Sequence, residues 1–126
     1  MKNNSVVWFE IYVQDMPRAQ KFYETVLGSE LELLGDPTDS TIQMMSFPGD
    51  IETYGANGAL VKAGGFPSGG NSTLVYFGCE DCAQEGGRVA SAGGRVEREK
   101  MSIGEYGFIV LAVDTEGNMF GLHSMK

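Results

Sequence analysis

Two stretches of this chain are punctuated at the same intervals, and that repeat constrains the fold more than any other feature. Asp15 and Gly28 stand thirteen positions apart, and so do Asp81 and Gly94. Trp8 lies seven residues before Asp15, and Leu74 lies seven before Asp81. One offset of 66 residues accounts for both spacings. A repeat of this kind means one supersecondary unit used twice.

The unit itself reads as strand, helix, then three strands. Val6 to Val13 alternates and is rich in β-branched and aromatic residues, which predicts a strand with Trp8, Glu10 and Tyr12 on one face and Phe9, Ile11 and Val13 on the other. Asp15 can accept the free amide hydrogens of a first helical turn, Pro17 tolerates that turn, and Gly28 stops the helix. Between them Ala19, Phe22, Tyr23, Val26 and Leu27 recur at three and four, an amphipathic stripe. Strands are expected at Glu30 to Leu34, Thr41 to Phe47 and Gly58 to Lys62, separated by Asp36-Pro37 and Pro48-Gly49-Asp50 turns. After the Gly-, Pro- and Ser-rich stretch 64–71 the order repeats. A strand at Thr73 to Cys79 precedes a helix from Asp81 to Gly93-Gly94, weakened by Gly86 and Gly87. Strands follow at Arg95 to Lys100, Phe108 to Val113 and Met119 to His123. The fold class is therefore α+β: one domain over residues 1–126, with module one at about 5–63 and module two at about 71–125. Each helix covers one face of a curved, barrel-like mixed sheet, and the other face is left to line something.

Charge narrows the partners. Nine Lys and Arg against seventeen Asp and Glu give a formal net charge of −8, so neither nucleic acid nor an anionic membrane is an expected partner. An acidic balance keeps a protein soluble and draws in cationic ligands. Met1 to Val7 has one Lys and no apolar core, unlike a signal peptide, and no apolar run approaches the roughly 20 residues that span a bilayer. The expectation is a cytoplasmic protein.

Cys79 and Cys82 form a C-x-x-C pair where a strand meets a helix. Structural zinc needs two more ligands, and His123, the single histidine, does not supply them. Glu80 and Asp81 between the thiols would raise their pKa values, so two inert thiols are the expectation rather than a redox pair.

The stretch Asp15-Met16-Pro17-Arg18-Ala19-Gln20-Lys21-Phe22-Tyr23-Glu24-Thr25-Val26-Leu27-Gly28 resembles the first-helix signature of the vicinal oxygen chelate superfamily, the glyoxalase/bleomycin resistance/dioxygenase family. Asp114-Thr115-Glu116-Gly117-Asn118 resembles the D-P-x-G-N turn before that family's last strand, with Thr115 in place of proline. The resemblance covers nearly the whole chain. It implies the glyoxalase/bleomycin resistance fold of paired βαβββ modules and a homodimer, and it leaves open whether the modules pair within one chain or across two. Metal-using members carry His, Glu or Gln on the first and last strands of each module. Those positions fall here on Trp8, Ala59, Leu74 and Gly121, which offer no oxygen or nitrogen donor suited to a divalent cation. With no phosphate-binding Gly-rich motif either, the sequence calls for no metal and no cofactor. Glyoxalase I and extradiol dioxygenase chemistry, which use the ion as a Lewis acid, are not expected.

The face left free by the helices carries Trp8, Glu10, Tyr12, Tyr76 and His123, the candidate ligand-binding residues. A mostly apolar concavity with a few polar groups suits a small organic molecule. Glu10 reads either as a ligand contact or general base, or as a structural partner for a Tyr hydroxyl, a backbone amide or an Arg. His123 reads as a general acid or base, or as a solvent-facing or dimer-edge residue. Residues 64–71, with Phe66 near the centre, are a plain connector or a lid. Three functions follow: a metal-independent binder of a small organic molecule, a metal-free lyase or isomerase with Glu10 as general base, or a partner domain whose pocket is vestigial.

Overall fold

A computed structural model describes residues 4–34, 41–50 and 52–126. The turn expected at Asp36-Pro37 lies outside them. The elements run β1 (Trp8–Tyr12), α1 (Met16–Leu27), β2 (Glu32–Leu33), β3 (Gln43–Ser46), β4 (Asn57–Lys62), β5 (Tyr76–Gly78), α2 (Cys82–Gly86), β6 (Arg95–Ser102), a 3-10 turn (Gly104–Tyr106), β7 (Phe108–Val113) and β8 (Met119–Ser124). They build two four-stranded mixed sheets with strand orders β1-β4-β3-β2 and β5-β8-β7-β6. In each the first strand runs parallel to the last and the remaining pairs are antiparallel. These are two βαβββ modules, the arrangement that the repeat predicts. The register makes the repeat quantitative: Glu10 pairs with Ala59 in one sheet and Tyr76 with Gly121 in the other, and Glu10 and Tyr76 stand 66 residues apart.

The first helix forms as its residues dictate. The Asp15 side chain accepts from the Arg18 amide, Pro17 sits in the opening turn, and Gly28 ends the helix at φ 70°, a left-handed conformation that costs glycine little. Its stripe of Met16, Ala19, Phe22, Tyr23 and Val26 is buried against Ile11, Val13 and Leu60 of the first sheet and Val110, Phe120 and Leu122 of the second. Burying each large apolar side chain contributes about 1.5–3 kcal/mol. The second helix is shorter than expected. Regular helix ends at Gly86, and beyond it Arg88 and Val89 bond back to Glu85 and Gly86 at the tighter three-residue spacing. A β-carbon on Gly86 would press on the Val110 methyls at 3.2 Å, so glycine lets the segment lie close on β7.

A buried polar pin joins the modules. The Tyr23 hydroxyl donates to Asp114 at 2.6 Å, and Asp114 in turn accepts from the amides of Glu116 and Asn118. The turn that looked like a simple strand connection is thus packed under the first helix. Among the described residues, no helix is long and apolar enough to cross a membrane.

Candidate functional site

Residues two apart on a strand share a face, so Trp8 and Tyr12 flank Glu10 on β1. Glu10 ties all three together. The Tyr12 hydroxyl donates to Oε1 at 2.7 Å and the Trp8 indole N–H donates to Oε2 at 3.3 Å. The hydrogen bond to this carboxylate, with partial burial behind it, raises the Tyr12 phenol above its ordinary pKa. The side chain paired across from Glu10 is only the Ala59 methyl, which leaves the carboxylate room.

The segment after β4 lies against Tyr12, while Trp8 and Glu10 stay exposed. Phe66 stacks on Tyr12 with centroids 4.8 Å apart and planes 17° from parallel. Ser68 and Asn118 both donate to the Tyr12 carbonyl, at 2.6 and 2.9 Å, and Asn118 also accepts from the Gly69 amide. The Gln14 amide donates to the Phe66 carbonyl and the Ser68 hydroxyl. Residues 66–69 are therefore fastened to β1 and to the Asp114–Asn118 turn. Beneath them lies a cavity of about 210 Å³, with Glu10 and Tyr12 on one side, Val75 and Met119 on the other, and Tyr23 and Phe120 at its base.

Of the five residues read from the sequence, the structure brings Trp8, Glu10 and Tyr12 into one bonded group, and Glu10 and Tyr12 border this cavity. Trp8 is 40% exposed and borders a separate depression with Tyr54 and Asn57. Tyr76 lies across Gly121, and His123 contacts the Tyr106 carbonyl through Nε2 at 2.7 Å; neither borders the Glu10 cavity. The cavity sits between β1, the segment before β5 and the start of β8, so it takes in residues from both faces of the strands, including Ile11 and Phe120 from the packing face. Strand alternation sorts residues by face and is silent on a seam. Asn118 is the contributor with a sequence signal, since it closes the Asp114–Asn118 motif.

Two of the positions that the resemblance assigns to metal ligands fit a metal poorly. Ala59 and Gly121 face β1 and β5 without a donor, and the Tyr76 ring fills the space into which a side chain at 121 would extend.

A family described as "Bleomycin resistance protein-like N-terminal" matches residues 5–34. No curated protein sequence gives a significant match. Among solved structures, TnmS3, an antibiotic binding protein from Streptomyces sp. CB03234, is similar at 24% identity and TM-score 0.67, covering 100% of this chain and 99% of that one. A glyoxalase/bleomycin resistance protein/dioxygenase family enzyme from Burkholderia phytofirmans PsJN is similar at 14% identity and TM-score 0.68, covering 94% and 97%. Glyoxalase I from Zea mays is similar at 22% identity and TM-score 0.73 over 94% of this chain, which spans 43% of the plant enzyme. With the paired-module topology and the match over β1 and α1, these likenesses identify the chain as a protein of the glyoxalase/bleomycin resistance fold.

Proposed function

We propose that this protein binds a small, planar organic cation at the Glu10 cavity without help from a metal. The observation that carries the reading is the bonded group Trp8–Glu10–Tyr12 with Phe66 stacked over it. A carboxylate flanked by two aromatic side chains recognises positive charge, and the outer face of the Tyr12–Phe66 stack supplies flat apolar surface beside it. The overall charge of −8 attracts the same class of molecule. Both oxygens of Glu10 already accept hydrogen bonds, which suits a binding contact better than the general base of a lyase or isomerase. A relative of the same fold that is an antibiotic binding protein supports small-molecule capture. Homodimer formation belongs to the same reading, because Leu74, Tyr76 and Met101 leave apolar surface open on the second sheet.

The test is calorimetric titration with matched aromatic amines, phenols and acids against the wild type and Glu10→Gln. The amide keeps the volume and can still hydrogen-bond, but it lacks the charge. A charge-assisted bond contributes about 1.5–3 kcal/mol, so amine affinity should drop about tenfold or more while phenol affinity stays within about twofold. Equal losses across the panel would overturn the assignment of Glu10.

A further inference from the structure

A second cavity, of about 500 Å³, lies at the Trp8 end of β1, walled by Val6, Val7, Trp8, Asp50, Tyr54 and Asn57. That volume suits an organic ligand. Asp50 is the one charged residue among its lining. Its carboxylate is fixed through a single oxygen: Oδ1 accepts from the amides of Glu52 and Thr53 and from the Thr53 hydroxyl, at 2.8–3.0 Å. The Thr53 hydroxyl first, then the Glu52 amide, hold the carboxyl below its ordinary value, so it is ionised at neutral pH. All three bonds end on Oδ1, which leaves Oδ2 to accept from a ligand. Asn57 is placed alike: its amide nitrogen donates to the Phe47 carbonyl at 2.9 Å, and its own carbonyl oxygen stays available. Asp50 and Tyr54 are both exposed, so a solute reaches them freely.

Trp8 links this cavity to Glu10. Its side chain borders the cavity while its indole N–H donates to Glu10 Oε2 at 3.3 Å. Glu10 stands about 7 Å further along the strand, on the same face. Trp8 and Glu10 are both exposed, so a ligand on Glu10 can run on past the indole. We propose, building on the Glu10 reading, that the ligand is an elongated dication: a flat cationic group at Glu10 and Tyr12, a spacer across Trp8, and a second ammonium on Asp50 Oδ2 beside Tyr54. An exposed carboxylate alone makes a weak contact, because water screens it. Two such contacts made by one molecule reinforce each other, since the second becomes intramolecular and depends on spacer length. The aromatic side chains of Trp8 and Tyr54 favour a cation at that end.

The experiment is calorimetric titration with N-benzyl-α,ω-diaminoalkanes of four to ten methylenes, each matched to the N-benzylalkylamine of the same length that lacks the second amine. Affinity should pass through a maximum with spacer length, where the diamine should bind at least about tenfold tighter than its monoamine. Asp50→Asn keeps an Oδ1 for the turn; it should remove that advantage and leave the monoamine within about twofold. Tyr54→Ala, at a residue 90% exposed, should cut the advantage severalfold, and it carries the test if Asp50→Asn fails to fold. Glu10→Gln should weaken both series. Diamines and monoamines that bind alike at every length, or an advantage that survives both Asp50→Asn and Tyr54→Ala, would overturn the proposal, and monoamines that still respond to Glu10→Gln would then leave the Glu10 site standing. Monoamines indifferent to Glu10→Gln would remove that site and this proposal together.

Discussion

Arg18, on the first turn of α1, meets Glu116 of module two through Nε and Oε2 at 2.7 Å, and the Glu116 side chain is fully buried while Arg18 stays half exposed. Glu116 also accepts from the amides of Gln14 and Asp15 and from the Thr115 hydroxyl. It therefore ties down the chain entering a helix of the other module, just ahead of the Asp15 cap.

Burial alone would raise the Glu116 carboxyl, but Arg18 and the amides of Asp15 and Gln14 outweigh it and hold the group at about 2, below its ordinary 4.5. A lowered folded-state pKa contributes stability that is complete above the ordinary value and is lost as pH falls through the folded one. Acid unfolding of the wild type should steepen between pH 4.5 and about 2. Glu116→Gln should lose about 2–3 kcal/mol at pH 7 and show a flatter acid limb. An unchanged denaturant midpoint in Glu116→Gln would contradict this.

The Tyr23–Asp114 bond gives an alkaline counterpart. Burial first, then the charge of Asp114, hold the Tyr23 phenol well above its ordinary 10.0. The folded chain keeps this proton, so raising the pH beyond 10 destabilises the fold. Of the five tyrosines, Tyr23 should ionise only with unfolding in a spectrophotometric titration. Tyr23→Phe should remove that step and cost about 1–2 kcal/mol, because Asp114 keeps its two amide donors but loses the hydroxyl.

Tyr76 and Gly121 form a matched pair across β5 and β8, and a β-carbon at 121 would collide with the ring. Gly121→Ala should cost about 1–3 kcal/mol. Tyr76→Ala should relieve most of that, so a double-mutant cycle measured by thermal unfolding should give a coupling above about 0.5 kcal/mol. Additive losses would show that the ring does not occupy that space.

Burial first, with the Glu85 charge second, pushes the Cys79 thiol up to about 12, and Cys82 is fully buried. Thiolate is the reactive form. Neither cysteine should react appreciably with a thiol reagent at pH 7 until the chain is unfolded, when both should react. Rapid labelling of the folded protein would return the C-x-x-C pair to consideration as a redox site.

Much of this fold can be read directly from local chemistry. Asp15, Pro17 and Gly28 mark the ends of α1, and the 66-residue spacing anticipates the matched registers of Glu10–Ala59 and Tyr76–Gly121. Where local signals were weak, tertiary packing decided. Gly86 and Gly87 shortened α2, and β5 kept only Tyr76–Gly78 because Asn71 takes the Thr73 and Met119 carbonyls ahead of it. The 3-10 turn at Gly104–Tyr106 had no signature beyond its glycines. The bonded group around Glu10 was legible from alternation. Phe66 and Asn118 were not, since each depends on how two modules meet rather than on the pattern within either.

The sheets end in ways that discourage further growth. In the first sheet the outer strand, β2, has two residues. In the second it is β6, which carries Arg95, Glu97, Arg98, Glu99 and Lys100 and breaks register between Val96 and Arg98 and again between Arg98 and Met101. Short, charged or irregular margins make poor templates for an incoming strand. The other two edge strands, β1 and β5, are turned toward each other through Phe9 and Phe77. A crowded solution of this protein therefore has little chance to seed fibrils by strand addition.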